Sequence, residues 1–135
     1  MLLLDSSVWI DVHRGRVTEA TRYVEARDEH EEIATTGSVF QEVLQGLRNP
    51  VDFERMRRVL WSALILEPRA LSTYEIAVQL FRRAVEAQLV VRSTNACLMS
   101  ALALEHGALL VHNDTDYLAI AQIEPALLVF PGRPH

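Results

Sequence analysis

No lysine occurs in these 135 residues, and cysteine occurs once, at Cys97. The missing lysine speaks against a phosphoacceptor domain of the receiver kind, which needs one in its cleft beside the phosphorylated aspartate. The single thiol rules out an intrachain disulfide. No apolar run approaches the roughly 18 residues of a membrane-spanning helix. The opening Met1-Leu2-Leu3-Leu4 is too short for a secretion signal and lacks a basic flank. A cytoplasmic protein with no membrane partner is the simplest expectation. There is no cysteine pair and no His-x-x-x-His element to suggest zinc. Phosphate-binding glycine loops and a Gly-x-Ser-x-Gly nucleophile elbow are also missing. Cys97 lies in an apolar segment and reads as a core residue rather than a nucleophile. The formal net charge of −5 argues against coating nucleic acid through bulk positive charge. It leaves a nuclease open, because carboxylates that bind metal make the metal-free chain look acidic.

Half of the residues are hydrophobic, enough for one compact domain over residues 1–135. There is no internal repeat and no low-complexity stretch. Residues 2–4, 33–36, 64–66, 109–111 and 127–129 read as short strands. Between them the pattern predicts helices over 8–11, about 18–27, 38–48, 52–62, from Ser72 to about 88, 95–106 and 114–121. Asp5-Ser6-Ser7 is an N-cap cluster, Ser38 a cap for the third helix, and Ser72-Thr73-Tyr74-Glu75 a capping box. The helix after Ser72 places Ile76, Ala77, Leu80, Phe81, Ala84 and Val85 on one face. Gly107 ends the helix before it, and a proline-rich tail closes the chain. Short strands alternating with helices predict an α/β fold, a mostly parallel central sheet flanked by helices. Ligands of such sheets bind beyond the carboxyl ends of the strands, where Asp5, Asp114 and Asp116 would fall.

Each acid has two readings. Asp5 can cap the helix that follows it, or face the cleft and bind a metal while Ser6 or Ser7 does the capping. Glu42 lies just outside the stripe of Val39, Phe40, Val43, Leu44 and Leu47, where a glutamate is ordinarily solvated. Asp114 and Asp116, in His112-Asn113-Asp114-Thr115-Asp116-Tyr117, can form a turn and cap. They can equally supply oxygen ligands to a hard cation such as Mg²⁺ or Mn²⁺. Clustered carboxylates repel, and a cation relieves that cost.

The order of three motifs resembles the PIN-domain proteins, and among them the VapC-type toxins. These are Leu3-Leu4-Asp5-Ser6-Ser7-Val8-Trp9-Ile10, Phe40-Gln41-Glu42-Val43-Leu44-Gln45-Gly46, and Leu109-Leu110-Val111-His112-Asn113-Asp114-Thr115-Asp116-Tyr117. The resemblance covers nearly the whole chain. It implies a PIN-like domain and a ribonuclease that hydrolyses RNA phosphodiester bonds with Mg²⁺ or Mn²⁺. It also implies a VapB-type antitoxin partner and a homodimer. By position, Asp5, Glu42 and Asp114 match acids that hold metal, and Asp116 matches an additional acid of many members. Ser6 and Asn113 match polar neighbours of the site.

One position departs from the family pattern. A further aspartate is expected after the Arg92-Ser93-Thr94 segment, and the chain has Ala96 there. A natural alanine would make a weakened member. A shifted alignment would let Asn95 supply an oxygen. The favoured reading is an Asp→Ala change introduced so that a toxic nuclease can be produced. An aspartate would suit this first helical turn, and Ser100 and Ala103 on the same face are small. The competing functional class is a non-catalytic PIN-like module that only binds an antitoxin or RNA. His13, His30 and His135 read as solvated, His106 as a helix-dipole partner, and His112 as a neighbour rather than a ligand. Arg14, Arg16 and Arg92 read by default as surface residues, though each could contact phosphate.

Overall fold

A computed structural model describes residues 1–132 of the chain; His135 lies outside the described residues. Five strands form one parallel sheet among these residues: β1 (Leu2–Leu4), β2 (Ile33–Thr36), β3 (Leu64–Leu66), β4 (Leu109–Val111) and β5 (Val129–Phe130), in the order β3-β2-β1-β4-β5. Between them run α1 (Ser6–His13), α2 (Glu19–Glu25), α3 (Gly37–Gln45), α4 (Pro50–Ser62), α5 (Leu71–Glu86), α6 (Thr94–His106) and α7 (Thr115–Ile123). The expected α/β architecture is present. Short strands this apolar survive because helices cover them: Leu3, Leu4, Leu110 and Val111 are almost fully buried.

The chain adds β2 and β3 on one side of β1, then returns to add β4 and β5 on the other. The strand order therefore reverses at the β1–β4 pair, which makes a crevice at their carboxyl ends. Leu4 pairs with Val111 in register, and the Asp5 amide donates to the Val111 carbonyl at 3.0 Å. That bond extends the ladder by one residue and fixes Asp5 at the mouth of the crevice.

Several local expectations shift. Helix α1 begins at Ser6, two residues earlier than the pattern suggested. Helix α3 starts directly from β2, so its cap is Thr36, whose hydroxyl accepts from the Val39 amide at 3.2 Å. Thr36 holds the extended backbone a cap requires, whereas Ser38 is already inside the helix. The capping box at Ser72 does not form. Helix α5 begins at Leu71 with no side-chain cap of its own. Glu105 of α6 serves it instead, accepting from the Arg69 amide at 3.2 Å and the Thr73 hydroxyl at 2.5 Å. Strand β5 lies two residues later than expected, where Val129 and Phe130 find register with Leu110 and Val111.

The apolar face of α5 is split. Thr73, Ala77, Leu80 and Ala84 are buried against the domain. Phe81 and Val85 remain 43% and 56% exposed, and Tyr74, Ile76 and Val78 are exposed too. Gly107 ends α6 in the left-handed region at φ 66°, as a C-terminal glycine does. His13 is half-buried and 3.8 Å from Asp52, not solvated as expected. His30 is exposed. No helix among the described residues is long and apolar enough to cross a membrane.

Candidate active site

Asp5 sits at the backbone cap position of α1, yet its side chain makes no cap bond. The structural explanation for this acid therefore fails, and neither serine replaces it, because Ser7 Oγ is buried without a partner. Instead the Asp5 carboxylate turns toward α7. Its Oδ1 accepts from the Tyr117 hydroxyl at 3.0 Å. Asp5 is only 8% exposed, and burial pushes its carboxyl up from an ordinary 3.8 to about 6. The hydrogen bonds from Tyr117 and from the Ser6 backbone pull the other way, while the charges of Glu42 and Asp114 push it further up. Burial and then the Asp5 charge hold the Tyr117 phenol protonated, far above its usual range. It is thus a permanent donor.

Glu42 is exposed on α3, at the stripe edge where the sequence put it. Its charge acts on both Asp5 and Tyr117, and its helix α3 leaves the carboxyl end of β2, the strand next to β1. Asp114 caps α7, its Oδ1 accepting from the Asp116 amide at 2.9 Å. It also bears on Asp5 and Tyr117. The capping reading of Asp114 holds, and the cap bond engages only its Oδ1. Asp116 is 5% exposed and faces differently: its Oδ2 accepts from the amides of Arg92 and Ser93 at 3.1 and 2.9 Å.

Position 96 lies in the first turn of α6, capped by Ser93 Oγ at 3.3 Å from the Ala96 amide. Ala96 is 2% exposed. One turn on, Met99 of the same helix meets the Thr36 hydroxyl at the end of β2, so this side of α6 looks toward the sheet's carboxyl edge. Asn95 instead lines an apolar groove of about 400 Å³ against Tyr74, Ala77 and Phe81 of α5. Asn113 is engaged with Asp11, donating to its Oδ2 at 3.0 Å. His112 is buried. Its Nδ1 accepts from the Asp114 amide at 3.0 Å and its Nε2 lies 2.8 Å from the Pro131 carbonyl. The pair of contacts defines the neutral Nε2–H tautomer and makes His112 a brace for the acidic loop rather than a ligand. His106 sits in the last turn of α6 with Nε2 3.0 Å from the Glu67 carbonyl.

Among the described residues no group of three or more His, Cys, Asp or Glu is gathered closely enough to hold a metal ion. The charges of Glu42 and Asp114 act on Asp5, but the three are not gathered into one coordination sphere. Their chemistry suits a hard cation nonetheless: all are carboxylates, and no arginine among the described residues pairs with any of them. Their mutual repulsion, visible at Asp5, is the burden a divalent ion relieves. Tyr117 is the site residue the motifs alone did not single out. Its only sequence signal is its place directly after Asp116.

A parallel α/β sheet with a carboxylate crevice at its switch point is the architecture of a PIN-like domain. The PIN domain family matches residues 2–123. Ribonuclease VapC11 of Mycobacterium tuberculosis and VapC ribonuclease Mb1587 of Mycobacterium bovis are each 32% identical over 91% of this chain and 93% of their own. The chain belongs to the PIN-domain family, among the VapC ribonucleases. Solved structures share the fold. A toxin-antitoxin complex from Klebsiella pneumoniae has a TM-score of 0.74 at 21% identity, covering 100% of both chains. VapBC-1 from nontypeable Haemophilus influenzae has a TM-score of 0.71 at 15% identity, over 95% of each.

Proposed function

We propose that this chain, acting as a single PIN domain over residues 1–135, is the toxin of a type II toxin–antitoxin pair. It is an endoribonuclease that hydrolyses RNA phosphodiester bonds with Mg²⁺ or Mn²⁺. What supports this reading is that Asp5, at the carboxyl end of β1 beside β4, is acted on by the charges of Glu42 and Asp114, in a chain 32% identical to VapC ribonucleases.

Asp5, Glu42 and Asp114 would hold the cation. When bound, it lowers the pKa of a water and offsets charge developing on the scissile phosphate. Tyr117 fixes one Asp5 oxygen and leaves the other for the crevice. Asp114 is held by its own cap bond and by the brace to His112. Glu42 is exposed on α3 and its charge acts on Asp5. Asp116 stands behind this set, on the α6 side. The partners proposed are an RNA substrate, a VapB-type antitoxin and a second copy of the chain. The toxin–antitoxin complex and VapBC-1 that share this fold support the antitoxin. The exposed outer residues of α5 support self-association.

Ala96 leaves the site one carboxylate short, so this form should bind the cation weakly and turn over slowly. The test is Ala96→Asp, assayed on total RNA with Mg²⁺, Mn²⁺ or EDTA. Cleavage that appears with metal and stops with EDTA is expected. Absence of metal-dependent cleavage in the substituted protein defeats the nuclease reading. The same alanine favours a second reading, a PIN-like module that only binds antitoxin or RNA. Tight antitoxin binding by the Ala96→Asp protein without any cleavage would establish that one.

A further inference from the structure

We infer that Asp116 is not a ligand of the cation but a positioning residue that locks the first turn of α6 onto the acidic loop. The inference rests on the nuclease reading of the crevice. Between α5 and α6 the chain runs through Arg92 and Ser93 without regular structure. Among the described residues no backbone carbonyl serves either of these two amides. Both donate to one oxygen of the buried Asp116 carboxylate, at 3.1 and 2.9 Å. Bonds from backbone N–H groups to an ionised carboxylate are among the stronger hydrogen bonds of a protein. Left without them, these two partly buried amides would carry a desolvation cost.

The contact belongs to a continuous relay. Asp114 Oδ1 accepts from the Asp116 amide. Asp116 Oδ2 accepts from the Ser93 amide. Ser93 Oγ accepts from the Ala96 amide. Three hydrogen bonds therefore connect a carboxylate of the crevice to position 96. The negative charge also lies near the amino end of α6, where the helix dipole favours it. It reaches Cys97 on that helix, adding to the burial that raises its thiol. The side chain that would be a fourth ligand has its Oδ2 committed to the two residues that lead into α6, where it determines how position 96 meets the cleft.

A ligand and an anchor respond differently to loss of charge. Asparagine keeps an oxygen able to accept both amides, but it is a poor ligand for a hard cation. D116N, D116A and D114N would each be made in the present chain for amide hydrogen exchange and in the Ala96→Asp protein for Mn²⁺ titration calorimetry. D116N should leave exchange at the Arg92 and Ser93 amides, and the Mn²⁺ Kd, within about threefold. D116A should accelerate exchange at those two amides at least tenfold. D114N should weaken Mn²⁺ at least tenfold without opening them. If D116A does not fold, D116N still decides. The inference is overturned if D116N weakens Mn²⁺ as D114N does while the two amides stay protected. It is equally overturned if D116A leaves their exchange unchanged. Should D114N not affect Mn²⁺, the ligand reading fails, while the exchange data still judge the anchor.

Discussion

Replacing Asp5 by asparagine removes a charge that the fold resists. Asp5 is buried, and its carboxyl is pushed from 3.8 up to about 6, first by desolvation and further by Glu42 and Asp114. At about 1.4 kcal/mol per pH unit, that difference makes ionisation of Asp5 cost the folded state about 3 kcal/mol. The sign follows from the order of proton release. Below about pH 4 both folded and unfolded chains keep the proton and the cost is absent. Between about pH 4 and 6 the unfolded chain releases it first, so stability falls as pH rises. Above about pH 6 the full cost is present. Asn at this position still accepts from Tyr117 and carries no charge. In EDTA, Asp5→Asn should therefore stabilise the protein by up to about 3 kcal/mol at pH 7.5. For a chain of 135 residues, with an unfolding entropy of about 2.1 cal/mol/K per residue, that is about 10 °C in Tm. The gain should vanish by about pH 4. Mn²⁺ should reverse the ranking, because in the Ala96→Asp background a saturating ion adds about 4.1 kcal/mol at about a thousandfold excess over Kd. That increment should be lost with Asp5→Asn. Thermal melts from pH 4 to 7.5, with and without metal, measure all of this. A parent and variant that differ equally at pH 4 and pH 7.5, or an asparagine variant less stable than its parent at pH 7.5 in EDTA, would refute the reasoning.

Tyr117→Phe removes the donor to Asp5 and should cost about 2 kcal/mol at pH 7.5, where the acceptor is charged, and less at pH 4.5; urea unfolding at the two pH values checks the contrast. Thr36→Ala should cost about 1 kcal/mol as a lost N-cap, while Ser38→Ala should change stability by a few tenths, since the cap bond is made by Thr36. Gly107→Ala forces a side chain into the left-handed region at φ 66° and should lower stability by about 1 kcal/mol in the same assay.

The strands were legible because each is a short apolar run bounded by polar or turn residues, and hydrophobic burial acts on such runs wherever they occur. The helices were legible for a related reason, yet their starts were not. Caps depend on which hydroxyl happens to hold extended backbone. Thr36 takes that place over Ser38 because β2 runs into α3 without a linker. The start of α5 depends on Glu105, which lies on the next helix. No local motif can announce a partner thirty residues away.

The acids divide in the same manner. Sequence by itself determined that Asp5, Asp114 and Asp116 would gather at the carboxyl edge of a parallel sheet, and that Ala96 stands where a further acid is expected. It also determined the absence of lysine, which speaks against a phosphoacceptor domain, and of an intrachain disulfide. Only the tertiary structure decided what each carboxylate does. It turned Asp5 away from the helix it precedes and toward Tyr117. It brought Glu42 of a third segment into the same electrostatic field. It directed Asp116 at two amides just ahead of α6. The physical reason is one of range. Apolar patterning and turn chemistry act between near neighbours in sequence, whereas the role of a carboxylate is assigned by burial and by donors and charges that arrive from other segments once the sheet has closed.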